Sequence, residues 1–197
     1  SETRGALQIV FADLGTPSTG GRWDAYTEIR EQLIEKGIPA SQIRLIHEAS
    51  NDKTKAELFQ QARDGRVQVL FGSTEKMGVG TNVQTRAVAL HHLDAPWRPA
   101  DVTQREGRAI RQGNQNNELR VVRYATEGSF DSYMWGTLAR KATFIEQVLT
   151  GRLDVREVEN SSEMALQFSE MQAIAAGAMR ILELANLKHE VQKLSRQ

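Results

Sequence analysis

Three side chains near the middle of the chain have the types and spacing to handle a polyphosphate: Gln104, Arg108 and Arg111. Separations of four and three residues put them on one face of a helix. A guanidinium is planar, always charged and presents paired donors. Two in a row on a rigid element therefore suit the oxygens of a nucleotide's phosphates, with the glutamine beside them. Upstream, Gly78 and Gly80 flank Val79, just before Thr81 and Asn82. Glycines there permit a backbone conformation and a close approach that a side chain would block. Taken singly, each feature also describes something ordinary, a tight turn or a solvated helix face. Their occurrence together, in this order and at this distance, points to a phosphate site.

These groups need a scaffold, and hydrophobic patterning supplies one. Short apolar runs at 7–11, 43–46, 67–71, 87–90 and 119–124 predict five strands. Helical spacing lies between them: Trp23, Tyr26, Ile29, Leu33 and Ile34 up to Gly37, then Leu58, Phe59 and Ala62 in a helix capped by Asn51 or Asp52. Pro96 and Pro99 frame a turn, and Asp101 falls in the first turn of the helix carrying Gln104, Arg108 and Arg111. Strands alternating with helices give an α/β fold around a mainly parallel sheet. Ligands of open parallel sheets bind at the carboxyl ends of the strands. The loop 72–82, the turn 94–99 and the following helix all fall there.

From Ser129 the pattern is helical, through Phe130, Tyr133, Met134, Leu138, Phe144, Ile145, Val148 and Leu149 to Gly151. A polar, acidic stretch follows, and Met164, Phe168, Met171, Ile174, Ile181, Leu187, Val191 and Leu194 then keep helical spacing. The expected organisation is a sheet domain over 1–151 and a helical extension over 152–197, available for helix–helix contact.

Bulk properties narrow the classes. With 25 basic and 25 acidic residues in 197, net charge is zero, so a polyanion site must be local rather than a global field. No cysteine is present, which fits a reducing, cytoplasmic compartment and removes thiolate metal sites. The His91-His92 pair has no suitably spaced partner, and no metal site is expected. No apolar run approaches the roughly 20 residues needed to span a bilayer. The lack of an initiator methionine suggests an excised piece of a longer protein.

Against that background, three ordered segments resemble a known family. Gly78-Val-Gly-Thr-Asn-Val83 is similar to motif V of superfamily 2 helicases and translocases, closest to the Swi/Snf form. Asp94-Ala-Pro-Trp-Arg-Pro99 resembles the segment that follows it in that group, and Gln104-Arg-Glu-Gly-Arg-Ala-Ile-Arg-Gln-Gly113 fits motif VI. The resemblance covers roughly 7–150 and is strongest to helicase-like proteins of bacterial mobile elements and phages. It implies a second RecA-like, three-layer lobe. The departures are Thr81 for the usual leucine, Met77 for the first motif V glycine, and Asn114 for a glutamine. No phosphate-cradling Gly-Lys-Ser/Thr loop appears, because in the family it belongs to a first lobe.

The resemblance implies the following roles. Arg108 and Arg111 act as fingers on the γ-phosphate of ATP, with Gln104, Gly78, Gly80 and Asn82 lining the nucleotide site. Gly107 lets the helix approach the opposite lobe. Gly72, Ser73, Thr74 and Lys76 contact the phosphate backbone of DNA, duplex in view of the Swi/Snf likeness. ATP and Mg²⁺ are held mainly by the first lobe. Apart from the resemblance, Trp97 has the ring to stack on a base or adenine, but its place between two prolines favours an aromatic tucked into its turn. The competing expectation is a non-catalytic helicase-like module that docks a partner through the helical tail.

Overall fold

Strands β1 (Leu7–Phe11), β2 (Ile43–Leu45), β3 (Val69–Gly72), β4 (Ala87–His92) and β5 (Arg120–Arg123) pair in parallel in the order β2-β3-β1-β4-β5. Helices α1 (Ala25–Glu35), α2 (Asp52–Arg63), α3 (Pro99–Glu106) and α4 (Asp131–Thr150) follow β1, β2, β4 and β5 in the chain. The structure, a computed structural model, describes residues 6–17, 23–77, 82–150, 168–169 and 171–172.

Both helices flanking the sheet start where side-chain chemistry dictates. The Asp24 carboxylate accepts from the Thr27 amide at 2.8 Å and caps α1. At α2, Asn51 is the cap. Its side chain accepts from Thr54 N at 2.9 Å, while Thr54 Oγ1 accepts from Asn51 N at 3.2 Å. This reciprocal box satisfies two orphan amides of the first turn.

Alternation along the strands divides the core into two layers. Leu7, Ile9 and Phe11 of β1, Leu70 of β3 and Leu90 of β4 pack with Leu58, Phe59 and Ala62 of α2. On the opposite face Val10, Val69 and Phe71 pack with Tyr26, Ile29 and Leu33 of α1. The result is helix, parallel sheet, helix: the RecA-like three-layer arrangement expected from the sequence. Each fully buried leucine or phenylalanine contributes on the order of 1.5–3 kcal/mol. A slip in register marks the pairing of two interior strands, β1 and β4. Leu7 pairs with Ala87 but Gln8 with Ala89, so Val88 is passed over and β4's alternation turns over. Ala87 and Leu90 thereby both reach the α2 layer.

The apolar stripe of α1 is narrower than its spacing suggests. Trp23 is 73% exposed and Ile34 38% exposed. Trp23 lies before the Asp24 cap, outside the helix, and Ile34 sits about 100° round from Leu33, off the packed face.

By internal contacts the chain divides into two units, Ser1–Asp94 with Ala100–Tyr124, and Ala95–Pro99 with Ala125–Gln197. In the second, Met134, Trp135, Leu138, Ala139 and Ala142 form the buried stripe of α4, and the Trp135 and Phe168 rings lie 5.5 Å apart. Lys141 Nζ donates to the Trp97 carbonyl at 2.7 Å, but the Trp97 indole is 57% exposed rather than tucked. Phe144, Ile145, Val148 and Leu149 are also exposed. Most of the extension over 152–197 lies outside the described residues.

Candidate functional site

The carboxyl ends of three neighbouring strands converge on one side chain. Arg105, on α3, is 0% exposed. Its inward position follows from helical phase, since Asp101 and Val102, four and three residues before it on α3, are buried as well. A buried guanidinium is costly unless its donors are satisfied. Here Nε donates to Thr74 Oγ1 at 2.7 Å, and Nη1 donates to the Asp94 carbonyl at 3.0 Å and to His92 Nδ1 at 3.3 Å. Nη2 donates to Asp13 Oδ2 at 2.7 Å and to Asp94 Oδ1 at 3.0 Å. The Phe11 ring lies 5.4 Å away, a cation–π distance.

The partners of Arg105 are tied to one another. The Asp13 carboxylate accepts from the Thr74 amide at 2.7 Å and from Thr74 Oγ1 at 2.8 Å. Asp94 Oδ2 accepts from the amides of Asp13 and Leu14. The segments after β1, β3 and β4 are thus held to α3 by one cation and two carboxylates.

The polar chain continues toward β5. Because Arg105 donates to His92 Nδ1, that nitrogen is the acceptor and the proton belongs on Nε2, which lies 3.3 Å from Glu106 Oε1. Glu106 Oε1 also accepts from Arg123 Nη2 at 2.6 Å. Burial opposes ionisation of Glu106, but the His92 and Arg123 partners outweigh it and hold the carboxyl below its usual range. Burial pushes the His92 imidazole down, and the Arg105 and Arg123 cations reinforce this against the pull of Glu106. His47 and His91 are likewise lowered, each chiefly by burial.

A pH dependence follows. These imidazoles are neutral in the fold and titrate at about 6.5 once unfolded, so the unfolded chain takes up protons first as pH falls. Their contribution is complete above about pH 6.5 and is lost as pH drops from there through the lowered folded values. The thermal midpoint is therefore expected to fall on acidification from neutral pH. His92→Asn, whose carbonyl can replace the Nδ1 acceptor, is expected to flatten that slope. An unchanged slope in the variant would mean His92 is not among the groups responsible.

The residues singled out by sequence take up varied positions. Gln104 is half-buried on α3, but the helix ends at Glu106, so Arg108 and Arg111 lie beyond it, contrary to the single helical face expected. The cause is visible in the backbone bonds. Gly107 N still bonds to Thr103 O at 2.8 Å, but Arg108 N and Ala109 N bond to carbonyls only three residues back. Glycine is a poor helix residue and the last turn tightens at it. Arg111 Nη1 nevertheless donates to Asn82 Oδ1 at 3.2 Å, and two further bonds hold the 82–86 and 111–115 stretches side by side: Gln84 Nε2 to Gln112 O, and Gln115 N to Thr85 O. Arg108 is half-buried, and its Nε is buried with no hydrogen-bond partner among the described residues. Gly78 and Gly80 lie outside the described residues.

Of the four candidates after β3, Lys76 is exposed, Thr74 half-buried and bound to Asp13 and Arg105, and Gly72 and Ser73 buried. Ser73 Oγ accepts from Lys76 N at 3.2 Å and turns the loop. Gly72 is required by packing: a Cβ there would overlap Met77 Cγ and Sδ and press on Ile46 Cγ2 at 3.0 Å. Met77 and Ile46 are themselves buried. Gly72→Ala is expected to destabilise the fold by about 1–3 kcal/mol. In a Met77→Ala background the same change should cost less, and a double-mutant cycle in denaturant checks this; strict additivity would place the strain elsewhere.

Asp13, His92, Asp94, Arg105 and Glu106 are the site residues that sequence reasoning passed over. The available signals were the phase of Arg105 with Val102, and the acids at the ends of apolar strands. Among the described residues no group of three or more His, Asp or Glu could hold a metal ion, and no helix is long and apolar enough to cross a membrane.

An all-parallel RecA-like lobe with a buried arginine, Arg105, at the carboxyl ends of its strands is the class that these features define. Residues 19–113 match the helicase conserved C-terminal domain, and this segment belongs to that family. The chain is 39% identical over 114 residues to Defense against restriction protein B of Escherichia phage P1, an alignment covering 58% of the chain and 5% of that protein. It is 37% identical over 100 residues to DNA repair protein RAD5 of Candida albicans, covering 50% of the chain and 9% of the relative. Among solved structures, the C-terminal part of the Fun30 ATPase domain aligns over 84% of this chain and 47% of that one, with a TM-score of 0.48 and 17% identity. The chain thus spans only a small part of the length of these curated relatives.

Proposed function

We propose that residues 1–151 form the second motor lobe of an ATP-dependent DNA helicase or translocase acting in the cytoplasm, with 152–197 as its helical extension. ATP would lie between this lobe and a first lobe that carries the phosphate-cradling loop and most of the Mg²⁺ site. Arg108 and Arg111 would reach the γ-phosphate and stabilise the charge spread over its oxygens during transfer to water. Gln104, Gly78, Gly80 and Asn82 would line the nucleotide. Gly72, Ser73, Thr74 and Lys76 would follow a duplex DNA backbone, through amides and small polar groups in the case of the buried members.

The observation that carries this reading is the Asn82–Arg111 hydrogen bond, which joins the segment resembling motif V to the one resembling motif VI. The test is ATP turnover by the two-lobed protein carrying Arg108→Ala. Loss of turnover supports the motor, and unchanged turnover ends the assignment. The exposed apolar face of α4, with Phe144, Val148 and Leu149, favours a second reading, a helicase-like module that docks a partner through its helical tail. An absence of ATP turnover in the wild-type two-lobed protein would favour that module.

A further inference from the structure

Arg105 touches both the loop after β3 and the acids after β1 and β4, and it stands three residues before Arg108. Thr74 Oγ1 is shared: it donates to Asp13 Oδ2 at 2.8 Å and accepts from Arg105 Nε at 2.7 Å. Lys76, two residues further along that loop, is exposed. Hydrogen bonds weaken steeply once bent or stretched. The 73–77 loop therefore cannot shift without changing the bonds that fix α3, and the chain passes from the end of α3 through a tightened turn at Gly107 to Arg108. The flat guanidinium fork suits this joint because its donors are rigidly related, so displacement at one edge is felt at the others.

We propose that Arg105 is a positioning residue that couples the loop after β3 to Arg108 and Arg111. Engagement of a nucleic-acid phosphate by that loop thereby alters the set of the two arginines toward ATP. This rests on the motor reading given above. Arg105 is buried beneath the surface and is not itself offered as a contact to nucleotide or DNA.

The experiment measures ATP turnover of the two-lobed protein, with and without duplex DNA, for wild type, Arg105→Lys, Asp13→Asn and Arg108→Ala. Lysine keeps the charge but cannot reproduce the fork. For Arg105→Lys the DNA-stimulated kcat is expected to fall by about tenfold or more, since small misplacement of catalytic groups is costly. Its KM for ATP is expected to move by less than about twofold, and the ratio of stimulated to basal turnover to fall. Asp13→Asn breaks the carboxylate link between Thr74 and Arg105 at a position that water reaches, and a smaller change of the same sign is expected. A merely structural role would lower the folded fraction and hence both rates together. An unchanged ratio in both variants therefore overturns the coupling, and if Arg105→Lys fails to fold, Asp13→Asn decides alone. Arg108→Ala separates the two levels. Wild-type turnover there overturns the motor reading itself, whereas lost turnover there with unchanged ratios in the other variants overturns only the role of Arg105.

Discussion

Arg108→Ala in the two-lobed protein is expected to slow ATP hydrolysis by about 10³–10⁵, the scale on which an arginine finger acts in phosphoryl transfer. In barrier terms that is on the order of 4–7 kcal/mol. The magnitude follows from where charge builds up. Ground-state ATP is already bound by its adenosine and its other phosphates, so losing one donor weakens affinity modestly. The transferring group spreads charge over its equatorial oxygens, and a preorganised cation stabilises that distribution without reorganising. The expected signature is therefore a fall in kcat with KM for ATP changed by less than about tenfold. Arg108→Lys should recover only part of the rate, because an ammonium is a point charge without paired donors. Arg111→Ala should act in the same direction but also release Asn82, its partner at 3.2 Å, so its effect on KM should be the larger of the two. Steady-state kinetics on the three variants checks the pattern, and a KM effect without a kcat effect in Arg108→Ala would reassign that residue to binding alone.

How much of this was legible from residues alone depended on the range of the interaction involved. The strands and the helices around them follow from local periodicity. The Asn51 cap follows from a side chain and an amide three residues apart. The end of α3 was harder. Gly107 is visible in the sequence, yet Arg108 and Arg111 continue a helical spacing past it, and only the shortened backbone bonds reveal that the turn has tightened. Arg105 was passed over for a different reason. Arginine is almost never fully buried unless paired, and its partners Asp13 and Asp94 lie 92 and 11 residues away in sequence. Asp13 N in turn bonds to Asp94 across 81 residues. Parallel strand order brings these groups together, and no local pattern announces that. Trp97 erred the other way: an aromatic between two prolines reads as a tucked turn, but its anchorage is through its backbone carbonyl to Lys141, leaving the indole in solvent.

The pairing of Arg105 also sets the largest stability effect expected in the chain. Arg105→Ala should destabilise by about 3–5 kcal/mol, the range for removing one member of a buried ion pair. The loss exceeds that of an ordinary large-to-small change because of what remains. Asp94 stays nearly buried, its Oδ2 still bound to two backbone amides but its Oδ1 without the guanidinium. His92 Nδ1 and the Asp94 carbonyl also lose their donor. Asp13 suffers less, since its side chain is 29% exposed and keeps both bonds from Thr74. Asp94→Asn in the Arg105→Ala background should therefore cost less than Asp94→Asn in the wild-type chain, because the carboxylate there is already uncompensated. Against a typical total stability of about 5–15 kcal/mol, the single variant should shift the denaturant midpoint substantially. A shift worth less than about 1 kcal/mol would mean that water replaces the guanidinium at the strand ends and that the joint is softer than its geometry implies.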